Sequence, residues 1–305
     1  MRPLTPPPAQ LVRLARRRSG YVTTAECTAA GVLVDARRRR LDAGVWARPL
    51  PGVIDLEPLL PRTIAEARLR AVHLALVRCG DGAVAVGAAA LVLHRNHGLP
   101  SRIDARAVRA DGQHRRHGSH AQHDRFPVVE VEGGLLAASV PSAIVQAAPQ
   151  LGRLHLVAVV DAALTTGQLS SSDDVATLAT GRRGAARLRT CLALSDGRAE
   201  SFLETWARLQ CVDAGIPPTT LQLEIRAGGS LLRGDLAWRL PDGRWLVVEI
   251  DGADVHASPT ALYRDRLRQN LIVADGRIVL LRFTAEDLRR PGYVPNQIRR
   301  VLTSV

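Results

Sequence analysis

The sequence predicts an α/β chain: a small helical module at the N-terminus, a mixed middle region, and a C-terminal mixed sheet flanked by helices. Three observations carry that expectation. Helix-period and strand-period patterns interleave along the chain. Its 305 residues, 46% of them apolar, supply material for more than one core. The last hundred residues alternate in the order helix, three strands, helix, strand, helices. The expected boundaries are 1–60, 61–199 and 200–305.

In the first segment, Ala9 to Arg18 reads as a helix with Leu11, Leu14 and Ala15 on one side and Arg13, Arg16 and Arg17 on the other. Thr24 is placed to cap a second helix through Ala30, and Gly31 to turn the chain. Asp35 is placed to cap a third, Ala36 to Asp42, which Gly44 ends. Val45 to Ile54 reads as a two-stranded wing, completing a winged helix-turn-helix. The third helix carries Arg37, Arg38, Arg39 and Arg40, and the wing carries Arg48. These five are the candidate DNA contacts, because a third helix lined with arginine is what a major-groove reader needs. Four consecutive arginines point all round a helix, so only some can face a groove.

Charge points the same way. The net charge of +12 is carried by arginine alone, since the chain has no lysine, and it is densest at the N-terminus, with 10 Arg against 5 acidic residues in 1–60. Such a balance suits a phosphate-rich partner. Aromatic residues, at 3%, are too few for a single-strand stacking platform. Cys27, Cys79, Cys191 and Cys211 are scattered and read as buried hydrophobes of a reducing compartment. No apolar run reaches the ~20 residues of a membrane span, and Met1 to Pro8 has no signal core, so the expectation is a cytoplasmic protein without membrane contact.

The run Gly20-Tyr21-Val22-Thr23, Gly44-Val45-Trp46, Pro51-Gly52-Val53 resembles the N-terminal domain of AbiEi-type antitoxins of type IV toxin–antitoxin systems. The resemblance covers the first fifth of the chain. It implies a DNA-binding module that represses its own operon, with a nucleotidyltransferase-like toxin as partner.

In the middle segment, Ile64 to Arg78 is an amphipathic helix and Ala83 to Leu93 is Ala/Val-rich. Strands at Val128 to Val131 and Leu135 to Ser139 flank Gly133-Gly134 as a hairpin. Helices follow at Leu151 to Leu164 and Ala185 to Leu194. Ala88 to Leu91 and His97-Gly98-Leu99 resemble the region after the wing in AbiEi-like chains. His114, His117, His120 and His123 recur at a spacing that does not keep one helix face, and they read as an exposed basic loop. No chemistry is assigned to this segment.

The C-terminal segment carries the chemistry. A helix opens at Ser201 with Phe202, Leu203, Trp206 and Leu209 as its stripe. Strands follow at Leu221 to Arg226, Leu231 to Leu240 and Trp245 to Asp251. Then come a helix from Ser258-Pro259, a strand from Ile278 to Phe283, and two closing helices. Asp235, Glu249 and Asp251 sit on strands otherwise apolar enough to be buried, where charges are kept when paired or holding a metal. Glu249 and Asp251 share one strand face. A two-residue turn at Asp242-Gly243 would put Asp235 opposite Ile250, on the wrong face. An odd-length connection or a bulge is therefore expected, with Asp235 opposite Asp251 and beside Glu249. Glu204, three residues after Ser201, also fits a capping box.

The run Asp235, Glu249-x-Asp251-Gly252, His256, Tyr263-x-Asp265-Arg266, Asn270, Leu281-Arg282-Phe283 resembles the endonuclease-like domains related to very-short-patch-repair (Vsr) enzymes, within the PD-(D/E)XK superfamily. The resemblance covers residues 200–302. It implies a restriction-endonuclease-like fold, Mg²⁺ and hydrolysis of DNA phosphodiesters. By that pattern Asp235 and Glu249 hold the cation, Glu204 joins from the preceding helix, and Asp251 adds a ligand or acts as a base. Asp251 stands where the superfamily motif has lysine, although related domains also carry acid-x-acid there. Arg266 and His256 are then the candidates for charge stabilisation and proton transfer.

Overall fold

The structure is a computed structural model that describes residues 5–109, 126–182, 184–227, 230–252 and 276–304. The His114 to His123 cluster lies outside the described residues. So do His256, Tyr263, Asp265, Arg266, Asn270 and the helix expected from Ser258. The protein is a mixed α/β chain with three sheets among the described residues. It forms two compact units: one from residues 1–151 and 173–188, the other from 152–172 and 189–305. The middle segment is thus divided between the two units.

The first unit opens with α1 (Ala9–Arg17), β1 (Tyr21–Thr23), α2 (Thr24–Ala29), α3 (Val34–Asp42), β2 (Ala47–Leu50) and β3 (Val53–Asp55). β3 pairs antiparallel with both β1 and β2 in a three-stranded sheet. Leu11, Ala15, Val22, Cys27, Val32, Trp46 and Ile54 form the core beneath it. Two expected caps differ. α2 is capped by Thr23, one residue earlier than expected, because Glu26 closes a capping box back onto it. α3 starts at Val34 after Leu33, so Asp35 lies in its first turn, where a carboxylate favours the helix dipole without capping.

After α4 (Ile64–Cys79) come β4 (Ala83–Val86), α5 (Ala88–Leu93), β5 (Arg106–Arg109), β6 (Val128–Val131), β7 (Leu135–Ala138) and α6 (Val140–Ala147). The strands form a second sheet in the order β5-β4-β7-β6, with β4 and β7 parallel and the outer pairs antiparallel. The expected hairpin around Gly133-Gly134 is the β6–β7 pair.

α4 is tied to the N-terminal elements through charge. Arg70 donates to the Asp55 carboxylate and to the Ser19 carbonyl, and its guanidinium lies 4.4 Å from the Tyr21 ring centroid. Asp55 also accepts from the Glu57 N–H at 2.9 Å. Gly20 makes room for this pair, since a Cβ there would lie 2.9 Å from Arg70 Nη1 and its φ is +97°. One turn along α4, His73 is hydrogen-bonded through Nδ1 to Ser19 Oγ at 2.8 Å. Burial first, and then the nearby Arg18 charge, holds His73 down at about 4.

The second unit comprises α7 (Arg153–Thr165), α10 (Phe202–Asp213), β8 (Thr220–Ala227), β9 (Ser230–Arg239), β10 (Trp245–Asp251), β11 (Ile278–Thr284), α11 (Ala285–Arg289) and α12 (Tyr293–Thr303). The short helices α8 (Asp173–Ala179) and α9 (Ala185–Leu192) lie between α7 and α10 in sequence. The sheet order is β11-β10-β9-β8, with β10 and β11 parallel and the other pairs antiparallel. Leu236, Trp238, Leu246, Val248, Ile250 and Phe283 pack one face against Ala207 and Cys211 of α10, Leu288 of α11 and Ile298 of α12. Burying each large side chain there contributes about 1.5–3 kcal/mol. Behind α10, Asp161 on α7 accepts from Arg208 Nη2 at 2.7 Å, Thr205 Oγ1 at 2.8 Å and the Asp196 N–H at 2.8 Å. These bonds offset the burial of a carboxyl that is 1% exposed.

His73 sets a pH prediction. Its folded pKa of about 4 lies below the ordinary 6.5, so between those values the unfolded chain binds more protons than the folded one. Stability should therefore fall as pH drops from above 6.5 towards 4, by at most about 3 kcal/mol. Urea unfolding measured at several pH values should show this slope in the wild type and a flatter one in His73→Gln.

Candidate functional site

The β9–β10 hairpin decides where the acids stand. Its connection is the three-residue loop Pro241-Asp242-Gly243. Gly243 N–H donates to the Leu240 carbonyl at 3.1 Å and Leu240 N–H to the Arg244 carbonyl at 2.9 Å. Gly243, at φ +88°, takes the left-handed position that such a loop requires. The ladder then runs Trp245 with Arg239, Leu246 with Trp238, Val247 with Ala237 and Val248 with Leu236. The expected odd-length connection is present. One step further in the same register, however, Asp235 faces Glu249 and not Asp251. The loop begins at Pro241, one residue earlier than that pairing would need.

At that step a side chain takes over from the backbone ladder. Asp235 Oδ2 accepts the Ile250 N–H at 2.7 Å. The preceding Gly234 admits the close approach of the two strands, for a Cβ there would sit 2.2 Å from Val247 Cγ1. On the parallel side, β11 places Arg282 opposite Glu249. The guanidinium reaches along β10 to Asp251, with Nε to Oδ2 at 3.2 Å and Nη2 to Oδ1 at 3.0 Å, and lies 3.6 Å from Glu249 Oε2. Glu249 is buried and Asp251 is half-exposed. Continued by that one step, the registers set Asp235 and Arg282 on either side of Glu249, with Asp251 two residues beyond Glu249.

Glu204 does not join that row. It sits in the first turn of α10, where Ser201 Oγ accepts its N–H at 3.1 Å. Its carboxylate accepts from Glu200 N–H at 2.9 Å and from Gln222 Nε2 at 2.8 Å, so the reciprocal half of a capping box is not made. Gln222, on β8, has φ +52° and a buried Oε1 with no hydrogen-bond partner among the described residues. Among the described residues no group of three His, Cys, Asp or Glu side chains is arranged to hold a metal ion. Of the three carboxylates expected to converge, Asp251 is held by Arg282 in an ion pair. Asp235 and Glu249 remain as two hard oxygen donors on adjacent strands. That set fits Mg²⁺, which binds through one or two carboxylates and completes its shell with water and phosphate.

Reading the sequence for acids alone missed Arg282 and Gln222. The signal for Arg282 was the one that revealed Glu249, a charge in an apolar strand, here Leu280-Leu281-Arg282-Phe283. Gln222 carried no comparable signal, since its left-handed φ is not encoded by residue type.

In the first unit the candidate DNA contacts divide. Arg40 is buried, donates to the Ala36 carbonyl at 2.8 Å and to the Thr5 carbonyl, and lies 4.9 Å from the Trp46 ring centroid. It is a packing residue, which corrects its place among the contacts. Arg37 is half-buried and donates to Thr24 O at 2.8 Å and Thr28 Oγ1 at 2.7 Å. Arg38, Arg39 and Arg48 are exposed. Arg37, Arg38 and Arg48 line a groove of about 670 Å³ between α3 and β2, together with Thr24, Val34 and Trp46.

This division predicts unequal costs. Arg40→Ala should destabilise the protein by about 2 kcal/mol, losing a cation–π contact and two hydrogen bonds. Arg39→Ala should stay within about 0.5 kcal/mol of wild type. Urea midpoints of the two variants test the contrast.

No family model matches the chain, and no solved structure matches it. Among curated proteins it is similar to the uncharacterized proteins MT2308 and Rv2248 of Mycobacterium tuberculosis, from strains CDC 1551 / Oshkosh and ATCC 25618 / H37Rv. Each is 36% identical over 173 residues, which is 55% of this chain and 62% of the relative. The chain therefore spans about three fifths of the length of the curated relatives it matches.

Proposed function

We propose that this chain is a DNA-binding protein with a metal-dependent endonuclease-like domain that hydrolyses DNA phosphodiesters. The observation that carries the reading is the pair Asp235 and Glu249, which the β9–β10 register, continued one step past Val248 and Leu236, sets side by side, with Leu236, Ala237 and the β10 residues from Leu246 to Ile250 buried around them. The element order α10-β8-β9-β10-β11 and a mixed sheet with one parallel pair are compatible with a restriction-endonuclease-like fold. At the N-terminal end of the first unit, α1 to α3 and the three-stranded antiparallel sheet β1-β3-β2, with exposed Arg38 and Arg48 lining a groove, support a winged helix-turn-helix that reads duplex DNA.

In this reading Asp235 and Glu249 hold Mg²⁺, which when bound supplies charge neutralisation at the phosphate and a more acidic water. The chain does the rest. The Ile250 N–H fixes the orientation of the Asp235 carboxylate. The buried strand face keeps Glu249 out of bulk water, which strengthens its attraction for a cation. The arginine-rich first unit raises the local concentration of DNA through its charge.

A second reading is a non-catalytic regulator of the AbiEi type, partnered with a nucleotidyltransferase-like toxin. The specific observation that favours it is the Asp251–Arg282 ion pair, which removes one carboxylate from the expected ligand set.

For both readings the full chain is expected to bind duplex DNA with an affinity that falls steeply with added salt. Incubation of plasmid and mismatched duplexes with Mg²⁺ should yield cleavage that drops at least about 100-fold in Asp235→Asn and Glu249→Ala. Cleavage unaltered by either substitution contradicts the site. Salt-sensitive binding without cleavage of any substrate selects the regulator.

A further inference from the structure

The site has an acid where a positive charge is useful. Asp251 follows Glu249 by two residues, where the resemblance to the PD-(D/E)XK motif implies a lysine, and the whole chain has no lysine to offer. A carboxylate there adds negative charge next to Asp235 and Glu249, and an incoming phosphodiester adds more. Without a cation from the protein, three acids and a phosphate would share one strand end, and like charges in a half-buried place repel strongly.

We infer that Arg282 is the phosphate-contacting cation of this site and that Asp251 is the residue that positions it; the inference rests on the endonuclease reading. Three features on different elements meet in it. The parallel β10–β11 register puts Arg282 opposite Glu249, on the strand next to the acid pair. Asp251 takes the guanidinium through two N–H groups on one edge, the fork geometry that fixes its plane as well as its position. Glu249 Oε2 lies 3.6 Å from Arg282 Nε, near enough to feel the charge.

Arginine suits this task better than lysine would from the same strand. Its planar group satisfies a carboxylate with one edge while its delocalised charge acts on a phosphate beside it. Asp251 therefore belongs to the cation and not to the metal. The acid-x-acid spacing on β10 makes sense as one metal ligand followed by one arginine holder, both on the same strand face.

The two roles give Asp251 opposite signatures. A metal ligand, once neutralised, abolishes Mg²⁺ binding; an arginine holder, once neutralised, changes it only by the effect of one nearby charge. Full-length wild type, Arg282→Ala, Arg282→Lys and Asp251→Asn should be compared by calorimetric Mg²⁺ titration, by duplex binding in Ca²⁺, and by cleavage in Mg²⁺. Thermal unfolding of each reports folding. Arg282→Ala should cleave about 100-fold more slowly at saturating DNA, with duplex affinity within about threefold, because the first unit supplies most of the binding charge. Its Mg²⁺ affinity should rise about fivefold as a cation beside Glu249 is lost.

Removing Arg282 takes from Asp251 its bidentate partner, a loss that threatens folding. Arg282→Lys keeps the charge without the fork and should fold, with kcat reduced about tenfold and KM unchanged. Asp251→Asn should likewise lose kcat about tenfold, with Mg²⁺ affinity lowered by no more than the about fivefold that one nearby charge accounts for. Wild-type cleavage rates in a folded Arg282→Ala or Arg282→Lys protein overturn the inference, as does a loss of Mg²⁺ affinity beyond that in Asp251→Asn. A wild type that neither binds Mg²⁺ nor cleaves defeats the endonuclease reading itself, and the inference with it.

Discussion

The acceptance of the Ile250 N–H by the Asp235 carboxylate, at the point where the β9–β10 ladder stops, organises the second unit. A carboxylate and a backbone N–H at the end of a buried strand would each carry a desolvation cost if left alone. Joined, they satisfy one another and leave the two strands close at Gly234. The three-residue loop sets the register, the register sets Asp235 beside Glu249, and the parallel strand β11 then delivers Arg282 to the same row. Each step follows from the preceding one. A loop one residue longer or shorter would put Asp235 against an apolar partner, Ile250 or Val248, and scatter the row.

The same economy of buried charge recurs through the molecule. Arg70 with Asp55 ties α4 to the first sheet, and Arg208 with Asp161 ties α10 to α7. Arg40 covers Trp46 beneath the groove of the first unit. A chain without lysine uses guanidinium groups at all of these joints, where planarity and several donors satisfy carbonyls and carboxylates together. The arginine excess is therefore not one patch. Part of it is architecture, and the part left exposed near α3 and β2 is what a phosphate-rich partner would meet.

Local signals were legible wherever one element decided the outcome. The apolar stripe of α10, the Gly133-Gly134 hairpin and the β-strand runs all follow from periodicity and turn residues. The acids at 235 and 249 stood out because charge in an apolar strand is rare. What sequence patterns could not resolve were choices separated by one residue. Thr23 caps α2 in place of Thr24 because Glu26 reaches back to it, and Pro241 begins the loop because Gly243 is the residue that tolerates a left-handed φ. Nor could spacing reveal partners from distant strands: Arg282 lies 31 residues after Asp251 and meets it through a parallel pairing that only the folded sheet creates. Arg40 looked like its three neighbours and differs from them by the side of the helix it occupies.

The central claim is that Asp235 and Glu249 act together as the ligands of one divalent cation. Mn²⁺ is the direct probe, because bound and free ion are counted by electron paramagnetic resonance without any need for turnover. The account predicts one bound Mn²⁺ per full-length chain, lost in both Asp235→Asn and Glu249→Gln while thermal unfolding shows each variant folded. Mn²⁺ binding of the same strength in either folded variant, or none in the wild type, would contradict it.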